Sequence, residues 1–285
     1  DIASERIGWA FFLNFGFTII EFIGGWLTNS TAIMADAVHD LGDSLAIGSA
    51  WLLNKLGNRD ATQAFTYGYK RLSLLGALIN SIVLVVGSVW VLVISIPRLF
   101  APVMPVVEGM IFLAILGVVV NGYAALKLSQ GKTLNERVLN WHLLEDVLGW
   151  VAVLVVAIVL MFVDWPILDP ILSIAFTLFI LVNVLRNLSQ TVRLFLQAAP
   201  DSYTQQKLTS LLLEPDEVSS VHHVHFWSLD GEHHVLSAHL CLLKELNANE
   251  VMALKALLAQ RLADFDIAHT TLEVEYPNEQ CRDAN

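Results

Sequence analysis

Two short motifs lie inside long apolar stretches of this chain: His39-Asp40-Leu41-Gly42-Asp43 and His142-Leu143-Leu144-Glu145-Asp146. In each, a histidine precedes an aspartate by four residues. On an α-helix that spacing sets both side chains on one face, about 6 Å apart along the axis. Presented by two buried helices, the pairs supply four ligands for a small divalent cation. Two neutral imidazoles and two carboxylates form a closed N₂O₂ set suited to tetrahedral Zn²⁺. Ca²⁺ and Mg²⁺ favour oxygen ligands, so the imidazoles argue against them. Cd²⁺, Co²⁺ and Mn²⁺ stay open, because selectivity among transition metals rests on geometry.

Three readings of the pairs compete. They can be local or interhelical polar contacts that hold a helix bundle together. They can form an intramembrane metalloenzyme, with Glu145 or Asp40 as base. No His-Glu-x-x-His or nucleophile motif accompanies them, and an enzyme is not expected. The reading that best fits is a transport site. Histidine must be neutral and aspartate ionised to ligate, so metal and protons compete for the same atoms. No Gly-x-x-x-x-Gly-Lys-Ser/Thr occurs, which leaves a proton gradient as the energy source. Asp36, one turn before His39, is either part of the ion path or an interhelical contact. Glu21 and Asn121 read as polar packing groups.

Apolar composition decides how these residues are held. Of 285 residues 55% are hydrophobic and 15% charged, well below the charged share of soluble domains. Six blocks approach the length of a bilayer-spanning helix: Ile7–Leu27, Thr31–Leu53, Leu72–Ile96, Val107–Leu128, Trp141–Phe162 and Leu168–Leu188. Lys55, Arg59, Lys70 and Arg71 mark one connection and Lys127, Lys132 and Arg137 another, whereas the alternate turns carry only Arg98. By the positive-inside rule both termini are cytoplasmic. The first block lacks a cleavage site and reads as a spanning helix, not a secretory signal.

Composition changes near Pro200. From there to Asn285 stand 14 acidic and 5 basic residues, most of the chain's net charge of −11. Such acidity concentrates cations locally, and no nucleic-acid partner is expected. The pattern reads as helix (Ser202–Leu213), strand (Val221–Leu229), strand (His233–Leu243), helix (Ala248–Phe265) and strand (Thr270–Tyr276), with a hairpin at Asp230-Gly231. The expected fold is therefore a membrane all-α six-helix bundle over 1–199, followed by a cytoplasmic α+β domain over 200–285. Its αββαβ order is of ferredoxin-like type. Alternation puts His239 and Cys241 on the strand face away from the helices, with His223, His225 and Trp227 of the first strand and Glu273 and Glu275 of the third. That face is either a solvated acidic surface or a metal site or subunit contact. Cys241 and Cys281 lie on the cytoplasmic side, where thiols stay reduced and no disulfide framework is implied.

With these motifs the chain resembles the cation diffusion facilitator family, in its zinc-exporting branch of cobalt–zinc–cadmium resistance type. The likeness rests on the six helices, Ala35-Asp36-Ala37-Val38-His39-Asp40-Leu41-Gly42-Asp43, and the pair His142–Asp146. Further matches are Phe65-Thr66-Tyr67-Gly68-Tyr69-Lys70-Arg71, Asp169-Pro170, and Val221-His222-His223-Val224-His225-Phe226-Trp227. It implies a homodimeric metal/proton antiporter of the bacterial inner membrane, working by alternating access. His39, Asp43, His142 and Asp146 are then the transport ligands and Zn²⁺ the substrate. Relatives with Asp in place of the first His tend to be broader in metal choice, so His39 favours zinc. The resemblance also implies regulatory zinc sites at the dimer contact, at His222, His239 and Glu275, with His269 and Cys281 as further candidates. No His occurs between Asp40 and Trp141, and Lys70 stands where some relatives have His; a loop site is not expected. The alternative function is a membrane metal sensor that uses the same ligands without transport.

Overall fold

Each apolar block forms one helix in the computed structural model, which describes residues 2–57, 60–128 and 134–283. Within its helices the side chains of residues 2–10, 50–51, 53–55, 57, 124, 127–128 and 134–143 lie outside the described set. The helices are α1 (Ile2–Thr28), α2 (Thr31–Gly57), α3 (Leu72–Phe100), α4 (Val107–Leu128), α5 (Leu134–Phe162) and α6 (Leu168–Phe195). Among the described residues four segments are long and apolar enough to cross a membrane: Phe11–Thr28, Leu72–Phe100, Leu144–Phe162 and Leu168–Phe195. Val107–Tyr123 of α4 is apolar but shorter. Helix α2 differs in kind, because it carries Asp36, Asp40 and Asp43 within about two turns.

The chain divides into two compact units, Asp1–Leu52 with Gly76–Leu188, and Leu53–Leu75 with Ser189–Asn285. In the first, large apolar side chains such as Phe12, Trp26, Val86, Leu148 and Phe179 are turned outward, whereas Glu21, Asp36, Asp40 and Asp146 are buried. This inverts the usual arrangement of a soluble protein and suits a lipid surround.

Two contacts fix the helices that carry the motifs. Trp150, fully buried on α5, lies directly over Gly117 of α4, where any Cβ would collide with its indole. Its ring also meets Phe17 of α1 edge-on, at 5.8 Å between centroids. Trp150 stands one turn beyond Asp146, so this packing sets the rotation at which α5 presents its carboxylate.

The second contact caps α2. A helix N-terminus leaves backbone N–H groups without intrahelical partners. Asp169, buried in the first turn of α6, accepts from the N–H groups of Thr31 (2.7 Å) and Ala32 (3.3 Å). It also accepts from the hydroxyls of Ser30 (2.5 Å) and Thr31 (2.8 Å). The Ser173 hydroxyl donates to the Thr31 carbonyl and sits 2.9 Å from the Ser95 hydroxyl, which brings α3 into the same network. Arg98 of α3 donates to the backbone carbonyl and side-chain oxygen of Asn29.

In the second unit, α7 (Ser202–Leu213), β1 (Val218–Ser228), β2 (His234–Leu242), α8 (Ala248–Leu262) and β3 (Ile267–Glu275) follow in order. The sheet runs β1-β2-β3, with β1 antiparallel and β3 parallel to β2. Asp201 caps α7, and Asn247 with Glu250 forms a capping box on α8. Leu208, Leu212, Leu254 and Leu258 of these helices share a core with Phe226, Leu236 and Leu240 of the sheet. The expected hairpin is present: Gly231 takes a φ of +102°, and Leu229 N–H donates to the His233 carbonyl. The outer strands begin three residues earlier than expected, at Val218 and Ile267, because pairing to β2 extends there.

Strict alternation fails in β1. His222 pairs with His239 and His225 with Ser237, so two residues of β1, His223 and Val224, oppose the single Ala238. His223 takes a φ of +47° to absorb the extra residue. This β-bulge corrects the expected parity: His222 joins the face of His239.

Replacing Asp169 with Ala leaves the first N–H groups of α2 buried without an acceptor. The expected cost is about 3 kcal/mol, read as a lower melting temperature of the detergent-solubilised protein. An unchanged melting temperature would show that water replaces the carboxylate.

Candidate functional site

Within the helical unit, α2 and α5 bring His39, Asp43 and Asp146 together, with one ligand atom of each lying within 4.8 Å of the others. His39 Nε2 is 3.4 Å from Asp43 Oδ2 and 3.7 Å from Asp146 Oδ1. The first distance is the four-residue spacing realised on one helix; the second joins two helices 107 positions apart in sequence. Asp146 is 3% exposed, and the side chains of His39 and Asp43 are 14% and 17% exposed. The Phe176 ring of α6 meets the His39 imidazole edge-on at 5.8 Å between centroids and limits its rotation.

His142 lies on α5, one turn before Asp146, and its side chain is outside the described residues. Around this cluster, Asp40 is buried, and Asn14 of α1 donates to the Asp40 carbonyl and the Ser44 hydroxyl, which fastens α1 to α2. Glu145 is exposed.

A second cluster forms on the sheet. His222, His239, Glu275 and Cys281 each offer a ligand atom within 4.8 Å of the rest. Glu275 is at the centre: Oε1 lies 2.8 Å from His239 Nδ1, and Oε2 lies 3.2 Å from His222 Nε2. Cys281 Sγ lies 3.5 Å from His239 Nδ1. Part of this face is withdrawn from solvent, for His239 and Glu275 are 6% and 4% exposed, whereas His225 is exposed. At its rim, Glu273 and Asp283 approach His239 Nε2 and are tied to each other through Arg282.

The bulge brings His222 here, a placement that alternation could not give. Cys281 joins from the segment after β3, where no periodicity applies. His269 does not join; it faces Tyr67 with ring centroids 5.0 Å apart. The donors of both clusters, imidazole, carboxylate and thiol, are those that transition-metal ions accept.

Comparison with known proteins finds matches over two successive stretches of the chain. Residues 9–196 match the cation efflux transmembrane domain, and residues 200–277 match the cytoplasmic domain of cation efflux proteins. The chain is 34% identical over 282 residues to the zinc transporter ZitB of Escherichia coli, covering 97% of this chain and 88% of that one. It is 30% identical over 270 residues to a cadmium, cobalt and zinc/H⁺-K⁺ antiporter of Bacillus velezensis, covering 93% and 86%. The metal cation efflux system protein CzcD of Cupriavidus metallidurans is 30% identical over 262 residues, covering 91% and 82%.

Burial favours the neutral form of Glu275, but hydrogen bonds from Cys241, His239 and Cys281 and the charge of His222 outweigh it. Together they bring its pKa from 4.5 down to about 2. A carboxyl depressed on folding stabilises the fold above its ordinary pKa and ceases to do so as pH falls through the folded value. The metal-free protein is expected to lose this contribution between pH 4.5 and about 2. Acid titration followed by circular dichroism should show a shallower decline for Glu275→Gln. Identical profiles would assign the decline to other carboxylates.

Proposed function

The chain belongs to the cation efflux family, and we propose that it exports Zn²⁺ from the cytoplasm in exchange for protons. The observation that carries this reading is the meeting of His39 and Asp43 on α2 with Asp146 on α5. His142 completes the set as the fourth ligand. The two carboxylates neutralise the charge of the ion, and the two imidazoles set its preference for zinc over harder cations.

Exchange follows from the chemistry of these groups. A bound ion needs both imidazoles neutral and both carboxylates ionised, so its arrival displaces protons and its departure lets them return. With the site open to the cytoplasm, Zn²⁺ enters and protons leave. Opened to the other side, the site releases Zn²⁺ and is reprotonated. A proton gradient directed inward therefore drives zinc outward. Cd²⁺ and Co²⁺ fit the same donors less selectively.

In this reading 1–199 is the membrane domain, with α2 and α4 completing six spans and both termini in the cytoplasm of a bacterium, beneath its inner membrane. The domain 200–285 is ferredoxin-like and pairs two copies of the chain as a homodimer. Zn²⁺ at His222, His239, Glu275 and Cys281 regulates it from the cytoplasmic side. Nothing in the two clusters favours a sensor without transport, which would bind zinc stoichiometrically and show no flux.

Zinc uptake into sealed proteoliposomes under a pH gradient tests the proposal. Because outer-shell changes at metal sites already cost 10–100-fold, His142→Ala and Asp43→Ala are each expected to cut the rate by at least about tenfold. Transport surviving both would remove the site assignment. His39→Asp replaces an imidazole with a harder oxygen donor. It is expected to narrow the difference between Zn²⁺ and Cd²⁺ rates, and unchanged selectivity would count against His39 as the filter.

A further inference from the structure

Cys241 stands inside the ring of donors around Glu275. Its thiol donates to Glu275 Oε2 at 3.2 Å, and its Sγ lies 3.6 Å from His222 Nδ1. Cys281 occupies the matching place beside the other imidazole, 3.5 Å from His239 Nδ1. Strand register explains the symmetry. Cys241 of β2 faces Glu275 of β3, and His239, two residues earlier on the same face, pairs with His222 of β1. Each imidazole therefore has one sulfur beside it, with the Glu275 carboxylate between them.

Cys241 stands outside the set whose ligand atoms all lie within 4.8 Å of one another, but the two sulfur–nitrogen contacts already have the size found between neighbouring ligands of one ion. With bonds of roughly 2.0–2.3 Å, neighbouring ligand atoms of a tetrahedral site lie about 3.3–3.8 Å apart. Both sulfur–nitrogen separations, 3.5 and 3.6 Å, fall in that range. Two thiolates would neutralise a divalent ion without a carboxylate.

We infer that Cys241 is a ligand, and that the sheet site takes a thiophilic divalent cation through Cys241, Cys281, His222 and His239. Glu275 is then the oxygen donor that Cys241 replaces when the ion is soft. The inference rests on reading this cluster as a metal site, and Cd²⁺ is the probe. Soft thiolate ligands favour Cd²⁺ over the borderline Zn²⁺, so the sheet site answers to a different ion from the N₂O₂ site in the helices. Binding converts two thiols to thiolates and releases two protons per ion.

The chain has two cysteines, Cys241 and Cys281, so thiolate-to-cadmium charge-transfer absorbance reports on this site alone, whatever is bound among the helices. The full-length protein in detergent, under reducing conditions, is titrated with Cd²⁺ and calibrated against a two-thiolate cadmium complex. The wild type is expected to reach the two-thiolate amplitude per site, Cys241→Ser and Cys281→Ser about half of it, and the double variant none. Cys241→Ser is expected to weaken Cd²⁺ binding here by at least about tenfold, with Zn²⁺ affinity changed by less than about threefold. A one-thiolate amplitude in the wild type overturns the inference, as does a Cys241→Ser protein with the full amplitude. Should Cys241→Ser fail to fold, the calibrated wild-type amplitude decides alone. Loss of one Zn²⁺ equivalent per chain in His239→Ala, with the equivalent bound among the helices kept, tests the metal-site reading separately. Zinc bound there with one thiolate per cadmium removes Cys241 and leaves that reading intact.

Discussion

Carboxylates withdrawn from water set the terms for the helical unit. Glu21, Asp36, Asp40 and Asp146 are all buried, and an ionised carboxylate in an apolar interior needs a compensating positive charge. The segments Ile7–Asn54 and Trp141–Leu185 contain no lysine or arginine to supply it. The His39 imidazole stands beside Asp146, and in the proposed function the rest of the counter-charge comes from solution, as protons or as a metal ion. A fixed cation would make these helices a stable structural bundle. In the proposed function a mobile cation takes that position, so that occupancy depends on the surroundings and metal and protons are alternatives at one place. Trp150 over Gly117 and Asp169 over the start of α2 hold the carboxylates at this electrostatic cost.

The sheet solves a different problem. Its donors come from three strands and a trailing segment, and the leucine core under α7 and α8 positions them from behind. Glu275 accepts from the Cys241 thiol, is hydrogen-bonded to His239 and lies against His222, while Cys281 stands beside His239. Such preorganisation reduces the rearrangement that binding demands. It also places sulfur among nitrogen and oxygen, a donor mixture absent from the described helical cluster.

The sequence revealed these two sites unequally, for physical reasons. Helical spacing is nearly invariant, so His39 and Asp43 could be placed on one face from their numbers alone, and α5 carries His142 and Asp146 at the same interval. The six apolar blocks likewise found their helices, because length and hydropathy are summed over many residues. Strand parity is more fragile. One extra residue at His223 reverses every side chain before it, and nothing in Val221-His222-His223-Val224 announces a bulge. Cys281 lies beyond β3, where backbone pattern carries no information. Cys241 could be assigned to its face by alternation, but its nearness to Glu275 needed the parallel register of β2 and β3. Asp169 was visible only as part of an Asp-Pro pair. Its role depends on a helix start 138 residues earlier, and no local rule reaches that far.

The contact between Trp150 and Gly117 has a mechanical consequence. An indole seated where a Cβ cannot fit permits neither rotation of α5 about its own axis nor sliding along α4 without first lifting out of its seat. The two helices consequently behave as a single lever arm. In the proposed transport cycle the gap between Asp146 and His39 would widen by that arm swinging against α2, whose first turn is held by Asp169. Gly117, which is no ligand, would in that cycle limit how far the gap opens.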